Sequence, residues 1–383
     1  MITKIWIRNF RSLGDVEIPL GRITVLVGRN GAGKSNVVDA FRFVRDALRI
    51  GLEDSIVNRK GISAIRRWAP TRPFDIEIGL SIKRQGMSAD YSFKISSSAT
   101  GYKVKSETCD VTRADGQNDG YTVKAGRLER EPKRVMRHLG NQVRGLDSQS
   151  LMLSTLAIFS QDFQAVRREL RGSFYSFFTN VLREPQKPSD LRTLSESGDN
   201  LASMLRDFQR QGRWMPDMVA ALERITSGVK DIRVRDAGGF LVTEIQHMDL
   251  LDDGRDVDDA PWFEIALESD GTLRALAMLA ALYQRGQDRG LMCFEEPENA
   301  LHPGALAVVR DVMIETSLRR QLLVTSQSPD LISQFSAEDL RVVERTHGVT
   351  KVNLVDEAQR KLLNDDLFSA GDLLRVQDLR GKE

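Results

Sequence analysis

The sequence predicts an α/β fold organised around a phosphate-binding loop, on three observations. The run from Gly28 to Ser35 has the spacing G-x-x-x-x-G-K-[ST]. Apolar residues 23–27 precede it as a short buried strand, and residues 36–48 follow with apolar side chains at helical spacing. A second apolar run, 291–294, ends in carboxylates. Because a strand, a glycine loop and a helix N-terminus together form an anion site, the pattern predicts nucleotide binding.

The loop offers groups for the phosphates of a bound nucleotide and for its metal ion. Its glycines let backbone N–H groups turn toward the phosphates. Lys34 supplies a mobile positive charge for the outer phosphates, and the Ser35 hydroxyl can ligate Mg²⁺. The residues assigned to the nucleotide here are Asn30, Gly31, Gly33, Lys34, Ser35 and Asn36.

The composition is that of an ordinary globular protein, and 383 residues correspond to two or three domain-sized units. Lys and Arg number 55 against 54 Asp and Glu, so any surface that attracts nucleic acid must be local. Cys109 and Cys293 are far apart without CxxC spacing, which suits a reducing cytosol. The N-terminus lacks a signal-peptide pattern, and the longest apolar stretch, Leu276 to Tyr283, is too short to span a bilayer. We expect a soluble, cytoplasmic protein without membrane association.

Strand patterns dominate the first third of the chain, which we predict as the N-terminal part of the nucleotide-binding unit, residues 1–126. Residues 2–7 alternate, a turn follows at 9–12, and 16–18 resume extended structure, so the chain opens with a hairpin. Strict alternation of apolar and polar residues then predicts further strands at 74–83, 91–95, 102–105 and 121–124. These strands predict an antiparallel sheet beside the nucleotide-binding core.

Over residues 127–230 the apolar residues recur at helical spacing. We predict a compact helical insertion here, with a break at Glu184 to Pro188. Strand character returns at 231–247, and the acidic stretch 249–259 is predicted as a loop. Residues 231–383 then form the C-terminal part of the nucleotide-binding unit.

The acidic pair Glu295 and Glu296 follows the apolar strand 291–294 directly. Carboxylates at the tip of a buried strand are costly unless a cation or a reaction uses them. In phosphoryl transfer one acid holds Mg²⁺ and a neighbour orients or deprotonates the attacking water. We assign the first role to Glu295 and the second to Glu296; the alternative is a charged strand end stopped by Pro297.

Two further segments permit a functional and a purely structural interpretation. Residues 269–274 head an apolar helix, and Ser269 or Asp270 is equally suited to serve only as its N-cap. Residues 321–325 form another apolar strand, after which Gln327 can sense a γ-phosphate or simply belong to a loop.

Taken together, in this order and spacing, the motifs resemble an ABC-type ATPase head of the SMC, RecF and OLD group over nearly the whole chain. The similarity is greatest to small stand-alone ATPases of the AAA or OLD-like type, many from anti-phage operons. Asn9 to Ser12 resembles the NFRS turn, whose arginine, here Arg11, reaches phosphate. The other matches are the signature 269–274, the Walker B strand 294–298, the D-loop 299–303 and the switch 325–329.

This resemblance implies an ABC-type P-loop NTPase head with an antiparallel β lobe and a helical insertion, using ATP and Mg²⁺. It also implies an ATP-dependent homodimer or higher even oligomer. In that assembly Ser269 and Gly271 close on the γ-phosphate held by the partner's Lys34. Binding would then stabilise the closed state and hydrolysis release it.

The chain departs from the family pattern at two positions. The Walker B acid, usually Asp, is Glu295, one methylene longer. The switch residue, commonly His, is Gln327, which cannot exchange a proton near neutral pH, so slow turnover is expected. Gln161 is a candidate for the Q-loop glutamine; the alternative is a surface helix residue.

The biological role that the resemblance implies is that of the ATPase or switch subunit of a DNA-related, anti-phage system. Larger OLD proteins carry a C-terminal nuclease domain, whereas only about fifty residues follow Gln327, short of a typical domain. We therefore expect a separate effector such as a nuclease. The alternatives are a DNA-repair ATPase, a slow ATP-dependent regulator that restrains a toxic effector, and, least supported, a transporter subunit.

Direct DNA contact is a further open expectation. A group of basic residues can form a local DNA-binding patch or simply the solvated faces of helices. They are Arg127, Arg130, Lys133, Arg134, Arg137, Arg144, Arg167, Arg168 and Arg171.

Overall fold

Most strands of the protein belong to one continuous mixed sheet. In the described residues it has thirteen strands, and three more form a small antiparallel sheet. The computed structural model describes residues 1–68, 74–97, 101–133, 135, 148–212, 215–248, 260–284, 290–365, 367–376 and 378–382. In chain order the strands are β1 (Ile2–Phe10), β2 (Leu13–Pro19), β3 (Ile23–Val27), β4 (Ile76–Arg84), β5 (Met87–Ser97), β6 (Tyr102–Arg113), β7 (Asn118–Lys124), β8 (Arg127–Arg130), β9 (Ser173–Tyr175), β10 (Val229–Ala237), β11 (Phe240–His247), β12 (Trp262–Glu264), β13 (Met292–Glu295), β14 (Leu322–Ser326), β15 (Leu340–Thr346) and β16 (Val349–Leu354).

Most of the described helices lie in the connections between these strands, and the last two follow β16. The helices are α1 (Lys34–Arg49), α2 (Leu52–Val57), α3 (Ile62–Ile65), α4 (Met152–Phe159), α5 (Gln161–Glu169), α6 (Thr179–Arg183), α7 (Leu201–Gln211), α8 (Met215–Ile225), α9 (Asp270–Tyr283), α10 (Leu306–Ser317), α11 (Pro329–Ile332), α12 (Glu357–Asn364) and α13 (Ala370–Val376), with 3₁₀ turns at Ile265–Leu267 and Pro303–Ala305. None of these described helices combines the length and apolar character that a bilayer crossing needs.

The predicted opening hairpin and antiparallel lobe are confirmed. β1 pairs antiparallel with β2 on one side and with β4 on the other, and β5 to β8 extend the lobe outward. The lobe does not form a separate sheet, because β2 also pairs with β16 through Leu13 and Thr350. The antiparallel and parallel halves are therefore one sheet joined at a narrow seam.

The parallel half carries the phosphate loop at its centre. Its strand order is β15, β3, β14, β13, β9, and each neighbouring pair is parallel. All five strands consequently end at the same edge, where the loops that follow them meet. Side chains of β3 alternate between two buried apolar clusters, with Leu26 on one face and Val25 and Val27 on the other. Both faces are covered, as a parallel core requires.

The prediction of helices throughout residues 127–230 is wrong at two strands. β8 extends the antiparallel lobe, and β9 adds to the parallel core beside β13. At the expected break, Gln186 pairs with Leu241 in an isolated bridge. The predicted acidic loop 249–259 lies outside the described residues. Both cysteines are buried and free, so there is no disulfide between them.

A buried carboxylate attaches the first described helix of the 127–230 range to the antiparallel lobe. Glu107 on β6 is 1% exposed. It accepts hydrogen bonds from the hydroxyls of Tyr91 (3.1 Å) and Tyr121 (2.7 Å). It also accepts from the backbone N–H groups of Met152 (2.5 Å) and Leu153 (3.0 Å), which begin α4. One side chain thus satisfies a helix N-terminus and two buried phenols.

We predict that Glu107→Ala destabilises the fold by about 2–4 kcal/mol, because four buried donors lose their acceptor. Urea unfolding followed by circular dichroism measures the change. Thr108→Ala, at the next position of the same strand, removes only a half-buried hydroxyl contact with Ser92 and serves as the control. Equal losses in the two variants would contradict the role given to Glu107.

Candidate functional site

Thr350 packs against the phosphate loop and supports its conformation. Gly33 has φ +112°, and a methyl group on it would collide with the Thr350 side chain, so only glycine fits. Thr350 Oγ1 donates to the carbonyl of Ala32 (2.8 Å) and is 2.7 Å from Ser12 Oγ. Asn36 Nδ2 donates to the same serine hydroxyl (2.6 Å). A connected chain of hydrogen bonds between protein groups therefore stabilises the shape of the loop.

The predicted loop residues lie together around the start of α1. Asn30 is exposed in the turn before Gly31, which has φ +77°. Ser35 is exposed in the first turn of α1. Asn36 points its amide at Ser12, as just described. The backbone around Gly31 and Gly33 thus has the left-handed conformations that an anion-binding concavity requires.

Lys34 is enclosed by its own loop. Its Nζ donates to the carbonyls of Gly28 (2.6 Å) and Arg29 (3.3 Å), and the residue is 6% exposed. Burial lowers the pKa of its ammonium group, and the carboxylates of Glu296 and Glu298 oppose that effect. The positive charge therefore lies within the electrostatic reach of the acidic strand end.

Arg11 contacts a carboxylate on α1. Its Nε lies 2.8 Å from Asp39 Oδ2, while Arg59 Nε donates to the other oxygen of Asp39 (3.0 Å). Asn9 and Arg11 both have positive φ, 56° and 50°, so the predicted NFRS turn holds a left-handed backbone. The expected phosphate contact of Arg11 requires that it leave or share Asp39.

The acidic pair lies where β13 ends. Glu295 Oε1 accepts from Arg42 Nη2 of α1 (3.1 Å). Glu296 has φ +47° and its N–H donates to the carbonyl of Thr325 (3.0 Å). Its Oε2 accepts from Asn299 Nδ2 (3.0 Å). Left-handed backbone at a residue with a side chain is characteristic of functional sites, where the surroundings impose it.

Glu298 fixes the switch loop after β14. Its Oε1 accepts from Ser326 Oγ (2.6 Å) and from the N–H groups of Gln327 (3.1 Å) and Ser328 (3.3 Å). The Gln327 residue is exposed. The switch backbone is therefore tied to the Walker B segment, and the Gln327 residue lies at its surface.

The oxygen ligands at this edge fit Mg²⁺ held together with a nucleotide. Ser35 supplies a hydroxyl and Glu295 a carboxylate, the hard donors that Mg²⁺ prefers. The described residues contain no group of three or more His, Cys, Asp or Glu that could hold a metal by themselves. Mg²⁺ normally keeps several waters and takes further ligands from phosphates, so two protein ligands suffice.

The signature residues lie at the start of α9, next to Ala300 of the predicted D-loop. Ser269 caps α9 by accepting from the N–H of Thr272 (3.1 Å). Gly271 lies against the Ala300 carbonyl so closely that a side chain would collide. The Arg183 guanidinium lowers the pKa of exposed Asp270 through a 2.7 Å hydrogen bond. In the described part of the chain, no hydrogen bond or ion pair links Ser269 or Gly271 to the phosphate loop.

α5, the helix that begins at Gln161, does not place this residue at the candidate site. Gln161 is the exposed first residue of α5, which packs on the antiparallel lobe through Phe163 and Tyr121. Its neighbour Asp162 pairs with Arg113 of β6 (2.7 Å). β9 pairs with β13, the Walker B strand, and it begins only after α5 has ended. Gln161 therefore does not belong to the strand next to Walker B.

The basic group is partly engaged within the protein. Arg130 pairs with Asp110, and Arg167 donates to the carbonyl of Leu48 (3.0 Å). Burial, together with nearby Arg171, lowers the pKa of Arg167. Arg127, Lys133 and Arg168 are exposed. Arg134, Arg137 and Arg144 lie outside the described residues.

Three supporting residues were missed by sequence reasoning. Thr350 lies in a strand after a His-Gly turn, with no motif to mark it. Arg42 lies seven residues after Ser35 and so on the same helix face, a spacing that could have indicated it. Glu196 belongs to a segment without regular structure, and it pairs with Arg45 of α1.

The chain was compared with known proteins. It is 25% identical over 366 residues to the OLD nuclease of Thermus scotoductus, covering 90% of this chain and 62% of that protein. It is 19% identical over 393 residues to the Old nuclease of Escherichia phage P2, covering 94% and 62%. The chain thus spans less than two thirds of the length of these relatives.

A solved structure shows the same fold. The SmcHead bound to the C-winged helix domain of ScpA superposes with a TM-score of 0.52 at 15% identity, covering 92% of this chain and 96% of that one. A protein family described as "AAA domain, putative AbiEii toxin, Type IV TA system" matches residues 23–333, which include the phosphate loop, the signature, Walker B and the switch. The chain therefore belongs to this family of AAA-domain ATPases, with the fold of an ABC-type head.

Proposed function

We propose that the protein binds and hydrolyses ATP with Mg²⁺ and that it closes as a dimer around the nucleotide. Among the described residues, Ser269 and Gly271 make no hydrogen bond or ion pair with the phosphate loop of their own chain. This supports the composite site, because a complete ABC-type site needs a signature and a second copy would offer one. In the cycle we propose, Lys34 contacts the outer phosphates and Ser35 and Glu295 hold the metal. Glu296 orients the attacking water, and Gln327 senses the γ-phosphate.

ATP in this scheme is a ligand of the interface. The exposed N-terminus of α9 and the exposed phosphate loop each present half of a site, so ATP adds contacts to the closed state that the open state lacks. Hydrolysis removes the phosphate that bridges the two halves. We propose slow turnover, because a glutamine at position 327 cannot relay a proton.

The system that this ATPase serves is proposed from its relatives. Two curated relatives are named OLD or Old nuclease, which supports a DNA-related defence role that involves a nuclease. We propose the helices of the range 127–230 as the docking surface for a separate effector such as a nuclease. The range lies between the proposed head parts 1–126 and 231–383. A second candidate is a regulator that restrains a toxic effector, since the family description names a toxin system.

We predict that Glu296→Gln, which binds ATP but hydrolyses it poorly, doubles its solution mass with Mg-ATP. Light scattering with and without nucleotide measures the mass. Ser269→Arg added to this variant should keep ATP binding and remain a monomer, because the larger side chain blocks the facing site. Ser336→Arg, the same change at an exposed serine before β15, is the control and should dimerise. Dimerisation of the Ser269→Arg protein would remove the signature assignment.

We predict that Thr350→Val weakens ATP binding roughly 3- to 10-fold, because the loop carbonyl of Ala32 and the Ser12 hydroxyl lose a hydrogen bond worth about 1 kcal/mol. Titration calorimetry measures the affinity. Lys34→Ala is the reference for a lost phosphate contact and should weaken binding at least about 100-fold. Wild-type affinity in Thr350→Val would show that the support behind the loop is dispensable.

We predict that the ATPase rate distinguishes the two biological roles. A DNA-associated ATPase should respond to duplex DNA, with an effect that weakens steeply as salt rises. A regulator of a toxic effector should respond to the protein encoded beside it and ignore DNA. Steady-state phosphate release with DNA, with that protein and with both measures the response, and Arg127→Ala combined with Arg168→Ala tests the exposed basic residues.

A further inference from the structure

The Walker B glutamate has a cationic partner that belongs to the phosphate-loop helix. Arg42 Nη2 donates to Glu295 Oε1 at 3.1 Å, joining α1 to the end of β13. The two side chains are 26% and 20% exposed, so the pair is largely removed from water. An ion pair in this setting is much less screened than a surface pair.

The Arg42 guanidinium is itself held from two other directions. It lies over the Phe174 ring of β9, 5.2 Å from the centroid, and its Nε is 3.9 Å from Glu196 Oε2. Arg45, one helical turn later, lies over the same ring at 4.8 Å and also pairs with Glu196. The two arginines therefore share Phe174 and Glu196 as partners. Arg45 also pairs with Asp46 and donates to the carbonyl of Gly172. Among the described contacts of this pair of arginines, that with Glu295 belongs to Arg42.

The longer side chain of Glu295 explains why a contact that restricts its conformation would favour metal binding. Glutamate has one more rotatable bond than the aspartate usual at this position, and a free side chain at a strand end would lose that freedom on binding a metal. With Oε1 engaged by Arg42, that freedom is already removed and Oε2 remains for an ion. Partners that orient a metal ligand in this way typically contribute 10- to 100-fold in metal affinity.

We propose that Arg42 is a positioning residue that orients Glu295 for Mg²⁺. The inference rests on the proposed ATP-binding function and names a residue outside the loops and acids assigned to it. The opposite role, in which Arg42 competes with the ion for the carboxylate, makes the opposite prediction: its removal would tighten Mg²⁺ binding.

The test is equilibrium binding of a fluorescent ATP analogue, measured in EDTA and then as a function of Mg²⁺ concentration. For Arg42→Gln we expect Mg-free binding within about twofold of wild type and a half-saturating Mg²⁺ concentration about 10-fold higher. Arg45→Gln is the matched control and should leave the Mg²⁺ requirement unchanged. Thermal unfolding of each variant reports the integrity of the fold. Arg42→Lys, which keeps the charge without the planar fork, should give a smaller shift and serves if Arg42→Gln does not fold.

A double-mutant cycle identifies the route of the effect. If Arg42 acts through Glu295, adding Arg42→Gln to Glu295→Gln should produce no additional shift. Additive shifts, equal shifts in the Arg42 and Arg45 variants, or tighter Mg²⁺ binding would overturn the proposal while leaving ATP binding in place. Failure of the wild-type protein to bind the analogue with or without Mg²⁺ would overturn the proposed function as well.

Discussion

The parallel pairing of four strands is the constraint on which the site depends. β3 lies between β14 and β15, and β14 lies beside β13, with each strand running in the same direction. Their carboxyl ends therefore bring the phosphate loop, the switch and the acidic pair to one edge of the sheet. The hydrogen bonds of Glu298 to the switch and of Thr350 to the phosphate loop refine positions that the sheet has already set.

Charge is concentrated along α1 in a manner that links separate motifs. Arg11 pairs with Asp39, and Arg59 bridges Asp39 and Asp46. Arg45 continues the series to Glu196, and Arg42 ends it at Glu295. Buried charges persist only when they are paired, so changing one member leaves its neighbour uncompensated. A continuous series of ion pairs along α1, the helix that begins at the phosphate loop, thus links the NFRS turn to the Walker B strand.

The sequence predicted those features that depend on local spacing. The phosphate loop, the strands of the antiparallel lobe and the cap Ser269 follow from periods of two and 3.6 residues and from local capping chemistry. It could not predict partners that only the tertiary fold brings together. Arg42 and Glu295 are 253 positions apart and Thr350 and Ala32 are 318 apart. The three-residue strand β9 was missed because so short a run inside a helical pattern has no readable period.

The position of β3 in the sheet has a consequence for biosynthesis. The strand is made among the first thirty residues, yet both of its neighbours come from the last third of the chain, after residue 320. Thr350, which hydrogen-bonds to the phosphate loop, is synthesised after both of these strands. During translation the phosphate loop is therefore made long before its flanking strands, and apolar residues 23–27 lack their strand partners until residues 322–346 have emerged. The sheet around the loop and its support by Thr350 form only after position 350 has been synthesised, so the loop cannot take its final shape earlier.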